Sequence, residues 1–371
     1  MQHFLVQNSG RLDAVLCAFL PHSRSQISEF VKTYGVFVGD TLIKKPSFAV
    51  KSGTCIAVCE EKFFATSEPQ GSQNVKTKFD FNTALTPSVI FEDEEILVIC
   101  KPSGLVTHAA ASVKEATLTD WLQTQNYSLS TLAGNERYGI VHRLDKGTSG
   151  VMVVAKTNHA HAGLSEQLAS KEAGRFYIAA IDLALKEACV VSRPIGRDEQ
   201  NRLKKRALSG AQISQIVSKS GQNANLLKPN LNFANSANTN PQDVLPRGFR
   251  RAKTAFLPLD LAPKSPECHF VAAKLFTGRT HQIRVHLASL NRHILGDDLY
   301  GFKRQNAKLT RIYLHAWLLK LTHPKSGEKM EFFAPFGEDF AALFADAKAA
   351  GELLKAGEGL FAGYQKWREF C

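Results

Sequence analysis

The stretch of residues 138–157 most constrains how this chain can fold. Two apolar runs with β-forming residues, at 140–141 and 151–155, flank a polar turn that is rich in glycine and hydroxyl groups. This pattern predicts a strand, a tight loop and a second strand that is buried on both faces. The loop presents the carboxylate of Asp145 beside cations and hydroxyl donors, an arrangement that is suited to chemistry. Taken alone, the same residues also fit a solvated turn that carries charges.

The bulk composition indicates a partner and a compartment. The 371 residues suffice for two domains, and the formal net charge of +12 favours a polyanionic partner such as RNA, DNA or an anionic membrane. The seven cysteines are scattered and complete no zinc-ligand set, which predicts reduced thiols in the cytoplasm. No signal peptide is expected at the N-terminus, and no apolar run approaches the ~20 residues of a membrane span.

A family resemblance gives the loop a role. Residues 142–150 read His-Arg-Leu-Asp-Lys-Gly-Thr-Ser-Gly and precede a Val-rich strand. This string resembles the catalytic signature of the RluA-type pseudouridine synthases, which isomerise uridine to pseudouridine in RNA. Residues 175–177 (Arg-Phe-Tyr) resemble the second motif of that family. Residues 277–287 (Thr-Gly-Arg-Thr-His-Gln-Ile-Arg-Val-His-Leu) resemble the third.

The resemblance implies site residues one by one. Asp145 matches the catalytic aspartate, and Arg284 matches the basic residue that pairs with it. Tyr177 matches the ring that stacks on the target base and assists removal of the C5 proton. Arg143 matches the residue that fills the stack after the target nucleotide leaves it, and Leu314 lies where the family has an apolar pocket wall.

The N-terminal residues predict an RNA-binding unit. Two helices followed by short strands, with cations interspersed, occupy residues 1–60 and resemble the alpha-L RNA-binding motif. Arg24, Lys44 and Lys45 in this unit, and Arg279 in the third catalytic motif, are predicted to bind the RNA. The alternative is a unit that only packs against the rest of the chain.

The resemblance also implies an α+β fold and a domain order. The catalytic domain is predicted over residues 87–337, with a central mixed, mostly antiparallel sheet flanked by helices and loops. A polar linker at 61–86 precedes it. Residues 207–246 are rich in Ser, Asn, Gln and Ala, which predicts a flexible insertion, and residues 338–371 are predicted to form a helical extension.

The chemistry fits these residues without a metal or an organic cofactor. An aspartate is ionised at neutral pH and needs no base to activate it, and a guanidinium keeps it charged in a partly dry site. A stacked uridine must be flipped out to reach Asp145, at a cost of a few kcal/mol. Whether Asp145 attacks C1′, attacks C6 or assists a glycal route stays open.

The predicted function is site-specific isomerisation of uridine, with large-subunit ribosomal RNA as the substrate, by a monomer. Transfer RNA is the second choice of substrate. A non-catalytic RNA-binding or ribosome assembly factor is an alternative of another class. A third alternative, a glycosidase with an aspartate nucleophile, needs a second carboxylate as its general acid, for which Asp297 and Asp298 are candidates.

Overall fold

The computed structural model of the protein describes residues 2–20, 24–58, 85–108, 115–125, 127–134, 137–219, 245–301, 309, 311–355, 357 and 359. Within the helices, the side chains of residues 24–26, 29, 217–219, 349 and 353 stay outside this description. Most of the predicted linker, residues 220–244 of the predicted insertion and residues 360–371 also lie outside it. No helix in the described ranges is long and apolar enough to cross a membrane.

The N-terminal unit has its own small sheets and core. Its elements are β1 (Gln2–Leu5), β2 (Gly10–Arg11), α1 (Leu12–Leu16), α2 (Arg24–Thr33), β3 (Val36–Val38), β4 (Thr41–Ile43), β5 (Ala49–Val50) and β6 (Cys55–Val58). The order of the larger sheet is β1-β6-β3-β4, and β2 pairs with β5. Leu12 and Leu16 of α1 pack with Ile27 and Val31 of α2 in one buried cluster. The helical spacing of these apolar residues explains why the two helices lie together.

A nine-stranded sheet forms the body of the protein. Its strands are β7 (Ser88–Glu92), β8 (Ile96–Lys101), β9 (Ser149–Ala155), β10 (Gly174–Ile181), β11 (Cys189–Val191), β14 (Thr254–Leu259), β15 (His269–Leu275), β16 (Leu314–Thr322) and β17 (Lys329–Phe333). The strand order is β11-β14-β15-β10-β16-β9-β8-β7, with β17 also paired to β16. Strands β9 and β16 run parallel, and the other neighbours are antiparallel. The predicted α+β fold with a mixed, mostly antiparallel sheet is confirmed.

Helices and a short hairpin surround this sheet. The helices are α3 (Leu118–Thr124), α4 (Asn158–Ser170), α5 (Gly210–Lys219), α6 (Gln282–Ala288), α7 (Glu338–Ala341) and α8 (Ala347–Leu354). The hairpin joins β12 (Ile195–Arg197) to β13 (Lys205–Ala207).

Strand β10 shows why the sheet has two cores. Tyr177 and Ala179 face one apolar cluster, which includes α3, α4 and α6, whereas Phe176 and Ile178 face the other.

Gly150 is required where β9 meets β16. Its φ is +119°, and a Cβ at this position would lie 2.1 Å from the carbonyl oxygen of Ala316. Only glycine therefore fits the Thr-Ser-Gly string that ends the Asp145 loop. On the other side of this loop, the predicted first strand is reduced to a single bridge between Ile140 and Val154.

The segment at residues 207–246, predicted to be a flexible insertion, has regular structure at its start. Gly210–Lys219 is a helix. The Ser209 hydroxyl accepts the backbone N–H of Gln212, while the Gln212 side chain accepts the N–H of Ser209. This reciprocal capping starts the helix, and Ile213 and Ile216 at helical spacing are half-buried, so a polar composition does not prevent it.

The C-terminal extension covers the second face of the sheet. Phe340 is fully buried and Phe344 nearly so, and the Phe344 ring stacks on Phe270 of β15 with centroids 4.5 Å apart. Leu354 of α8 belongs to the same apolar cluster. The described part of the extension contains the helices α7 and α8, and their packing completes this core.

Candidate active site

A cavity of about 260 Å³ opens beside the Asp145 loop. Loop residues 141–145 form one wall, strand β10 contributes Arg175 and Tyr177, and residues 278–284 at the start of α6 form the opposite wall. Leu314 at the start of β16 also lines it. Asp145, Tyr177 and Arg284 are far apart in the sequence, and the fold brings all three to this cavity.

Side chains from the segment after β8 hold the Asp145 loop by its carbonyl groups. The Thr107 hydroxyl donates to Leu144 O at 2.8 Å, and the Ser103 hydroxyl donates to Gly147 O at 2.8 Å. The Thr148 N–H closes the turn on Asp145 O at 3.0 Å. The backbone around the carboxylate is therefore fixed from both sides, as a preorganised site requires.

Lys101 supports the same loop from inside the protein. Its side chain is fully buried, and its ammonium donates to the carbonyls of Pro102 and Leu105 at 2.8 and 2.7 Å and of Lys146 at 3.4 Å. Burial lowers the pKa of Lys101 to about 7, although the nearby Asp145 charge opposes this shift. This lysine is thus a structural support and does not face solvent.

Arg284 stands between two carboxylates. Its Nε and Nη2 donate to the two oxygens of Asp297 at 2.7 and 2.8 Å, while its Nη1 lies 3.7 Å from Oδ2 of Asp145. Burial disfavours the charged guanidinium, but the hydrogen bonds and charge of Asp297 outweigh this and raise the pKa of Arg284. Asp297 is fully buried and also accepts the N–H groups of Leu299 and Tyr300. With its oxygens so engaged, Asp297 is poorly placed to be a general acid.

Tyr177 lies under the cavity with small neighbours on both adjacent strands. Its cross-strand partners are Ala273 on β15 and Ala316 on β16, which leaves its ring face unobstructed by bulky side chains at these positions. The residue is 6% exposed. Burial raises the pKa of Tyr177 to about 12; the Arg175 charge lowers it and the Asp145 charge raises it further. The side chain is therefore a neutral phenol at physiological pH.

Three arginines line or flank the entrance of the cavity. Arg143 is exposed, and Arg175 and Arg279 also line the cavity. In the part of the chain that the structure describes, no ion pair joins these three arginines to an acid. The Arg279 Nε donates to the carbonyl of Arg251 at 3.0 Å. Burial lowers the pKa of Arg279, as do the charges of Arg250 and Arg175, so this edge of the cavity is strongly positive.

Lys44 and Lys45, two of the predicted RNA-binding residues of the N-terminal unit, do not line the cavity. Lys44 and Lys45 are exposed there, and the Lys44 ammonium donates to the carbonyl of Thr33 at 3.3 Å. Arg24 begins α2, and its side chain is outside the described part. Across the described ranges, no three His, Cys, Asp or Glu side chains converge as a metal-ligand set.

Two residues at the site were not singled out from the sequence, namely His281 and Tyr300. His281 Nε2 lies 4.0 Å from Oδ2 of Asp145, and its Nδ1 lies 3.0 Å from the Tyr300 hydroxyl. The ring of Tyr300 also faces the guanidinium of Arg284, 5.0 Å from its centroid. His281 has a left-handed backbone, φ +58°, just before α6. His281 belongs to the third motif string, residues 277–287, but the sequence positions of the two residues give no sign of this contact.

Known proteins share these features of sequence and fold. The family model described as RNA pseudouridylate synthase matches residues 95–289. A Helicobacter pylori protein named as an uncharacterized RNA pseudouridine synthase is 40% identical over 331 residues, covering 89% of this chain and 87% of the relative. A Xanthomonas campestris protein named ribosomal large subunit pseudouridine synthase D is 33% identical over 366 residues, covering 93% of this chain and 92% of the relative.

A solved structure agrees with this fold. Human RNA pseudouridylate synthase domain containing 1 superposes with a TM-score of 0.52 at 19% identity, covering 75% of this chain and 98% of the human one. The family match and the named relatives confirm the resemblance to RluA-type enzymes that the motifs indicated. The family match and the relatives that align over most of this chain together show that it belongs to the RNA pseudouridylate synthase family and is an enzyme that isomerises uridine in RNA.

Proposed function

We propose that this enzyme converts specific uridines of large-subunit ribosomal RNA to pseudouridine, with Asp145 as the nucleophile and the target base flipped out. The position of Asp145 carries this proposal. Its side chain is 18% exposed in a cavity, and its Oδ2 faces the guanidinium of Arg284 at 3.7 Å. A nearby cation stabilises negative charge on the carboxylate, and a carboxylate nucleophile needs no separate base to activate it.

The reaction breaks the bond between C1′ and N1 of uridine and forms a bond between C1′ and C5. The C5 proton leaves, and N1 gains a proton, so the product is an isomer. In this proposal Asp145 adds to the nucleoside at C1′ or C6, or assists a glycal route. The Tyr177 ring supports the detached base while it turns, and Leu314 helps to keep water from the intermediate, because both are buried against the cavity.

Flipping the base is expected to cost a few kcal/mol, and contacts to the RNA must offset this cost. Arg143 enters the gap in the stack, while Arg175 and Arg279 contact the phosphates beside the target nucleotide. Their lack of acidic partners in the described part of the chain supports this role. Arg24, Lys44 and Lys45 extend the basic surface on a separate RNA-binding domain, residues 1–60. Residues 87–337 form the catalytic domain in this proposal.

The choice of ribosomal RNA rests on relatives. The Xanthomonas campestris relative, like others from Zymomonas mobilis and Pseudomonas aeruginosa, is named ribosomal large subunit pseudouridine synthase D. The cytoplasmic location and the monomeric state stay predictions. Light scattering of the purified protein measures the second directly.

The test uses purified protein with unmodified transcripts of bacterial large-subunit ribosomal RNA and of transfer RNAs. The wild type is expected to form pseudouridine at discrete positions of the ribosomal transcript. Asp145→Asn is expected to form none while it still folds and binds RNA. Asp298→Asn is the matched control, because Asp298 is exposed and does not line the cavity. Pseudouridine formed on transfer RNA alone would contradict ribosomal RNA as the substrate. Release of free uracil would contradict isomerisation. An active Asp145→Asn variant would contradict the assignment of Asp145 as the nucleophile.

A further inference from the structure

The Tyr300 hydroxyl lies between a backbone N–H group and an imidazole ring. The N–H of Lys205 in β13 donates to the Tyr300 hydroxyl oxygen at 2.7 Å. The same oxygen lies 3.0 Å from Nδ1 of His281. The Lys205 N–H donates to this oxygen and leaves the hydroxyl proton free to be donated to Nδ1. The carboxylate of Asp145, which only accepts, faces the other ring nitrogen and favours a proton there, so Nδ1 is assigned as the acceptor.

This arrangement fixes the proton of the histidine on its other nitrogen. A neutral imidazole carries one proton, so a ring whose Nδ1 accepts a hydrogen bond must hold its proton on Nε2. Nε2 is the atom that faces Oδ2 of Asp145, at 4.0 Å. This separation is longer than a hydrogen bond, but such contacts in free enzymes often shorten when the substrate binds.

The surroundings disfavour a charged imidazole. Protonation would place a cation beside the guanidinium of Arg284 and near the Lys205 side chain, and would require the Tyr300 hydroxyl to turn away from Nδ1. Burial lowers the pKa of His281; Asp145 and Asp297 oppose this shift, whereas Arg284 and Lys205 add to it. A neutral ring donates to Asp145 without competing with Arg284 for the negative charge.

We propose that His281 is a positioning residue of this enzyme, whose Nε2–H, fixed by the Tyr300 hydroxyl, orients Oδ2 of Asp145 and leaves Oδ1 to face the uridine. Oδ2 is the carboxylate oxygen that lies 3.7 Å from Nη1 of Arg284 and 4.0 Å from Nε2 of His281. Once substrate binding shortens both contacts, two donors on one oxygen hold the plane of the carboxylate against rotation. The role in catalysis rests on the proposed function of Asp145, whereas the tautomer of His281 is a property of the free protein.

Two variants and one control separate this role from general stability. Tyr300→Phe removes the hydroxyl and keeps the ring that faces the guanidinium of Arg284. His281→Asn keeps a residue that tolerates the left-handed backbone, but its side chain is too short to reach Asp145. Tyr138→Phe is the matched control, because it removes a hydroxyl that donates to the carbonyl of Tyr127 at 3.1 Å, away from the cavity.

The first measurement is NMR of protein with ¹⁵N-labelled histidine, in the absence of RNA. His281→Asn assigns the signal of His281 among the 12 histidines. The wild type and Tyr138→Phe are expected to show His281 protonated on Nε2 alone. Tyr300→Phe is expected to show a mixture of tautomers. Protonation on Nδ1 in the wild type, or an unchanged tautomer in Tyr300→Phe, overturns the proposal even if the enzyme acts on another RNA.

The second measurement is the single-turnover rate on the ribosomal transcript, with RNA affinity measured separately. Tyr300→Phe and His281→Asn are expected to slow the chemical step by at least about tenfold, since small misplacements of a nucleophile cost this much or more. Their RNA affinity is expected to match that of Tyr138→Phe. An unchanged rate, or a loss explained entirely by weaker RNA binding, overturns the positioning role. An inactive wild type would count against the proposed function, and the NMR result would still decide the tautomer.

Discussion

Arg284 and Asp297 form a buried, two-pronged ion pair that determines which nitrogen of the arginine is left for Asp145. The pair uses Nε and Nη2 at 2.7 and 2.8 Å, so Nη1 is the atom that lies 3.7 Å from the Asp145 carboxylate. A lysine could not make this arrangement, because it carries one point charge instead of a planar fork.

The first prediction concerns this ion pair. Asp297→Asn leaves the buried guanidinium of Arg284 without its closest counter-charge, so the free energy of unfolding is expected to fall by about 3 kcal/mol. The single-turnover rate is also expected to fall, because Nη1 is no longer held beside Asp145. Urea unfolding and the rate on the ribosomal transcript measure the two effects. Asp298→Asn changes the exposed neighbour and should alter neither; equal behaviour of the two variants would refute this assignment.

The second prediction concerns the protonation state of Tyr177. Burial raises the pKa of this phenol to about 12, so it stays neutral between pH 7 and 9. If its phenolate removed the C5 proton, the chemical rate would rise about tenfold per pH unit in this range. We expect no such rise in single-turnover rates at saturating RNA. A tenfold rise per unit in the wild type that disappears in Tyr177→Phe would contradict this expectation and identify the phenolate as the reactive form.

The third prediction concerns acid stability. Burial lowers the pKa of His142 to about 3, and burial is also the main cause that lowers those of His286 and His315 to about 4. All three pKa values lie below the value near 6.5 of an unfolded chain, so below pH 6.5 the unfolded state binds more protons. The free energy of unfolding should therefore be highest above pH 6.5 and fall towards pH 4, by up to about 1.4 kcal/mol per pH unit for each histidine.

Urea unfolding between pH 7 and pH 5 measures this acid dependence. His286→Gln should show a shallower decline than the wild type, because it removes one of the three buried histidines. His159→Asn is the control, since its side chain is 69% exposed and should leave the slope unchanged. A free energy of unfolding that stays constant from pH 7 to pH 5 would show that these histidines are not buried in the neutral state.

Much of the fold and part of the site could be predicted from the sequence. The apolar run after the Asp145 loop is a fully buried strand, and Gly150 is where the strand needs a residue without Cβ. The meeting of Asp145, Tyr177 and Arg284 followed from the family motifs. Periodicity alone could not give it, because these residues come from a loop, a strand and a helix that only the sheet order brings together.

Other features could not be predicted from local patterns. The left-handed backbone of His281 is rare for a residue with a Cβ, and no neighbouring residue signals it. The contact between Lys205 and Tyr300 joins residues 95 positions apart. The start of α5 was missed for another reason. Its Ser-x-x-Gln capping pattern was present in the sequence, but the polar composition of the segment outweighed it.

The most direct test of the central claim is a pseudouridine map of total RNA from cells with and without this gene. We expect discrete pseudouridines of large-subunit ribosomal RNA to disappear without the gene, to return with the wild type and not to return with Asp145→Asn. An unchanged map, or recovery of the same positions with Asp145→Asn, would contradict it.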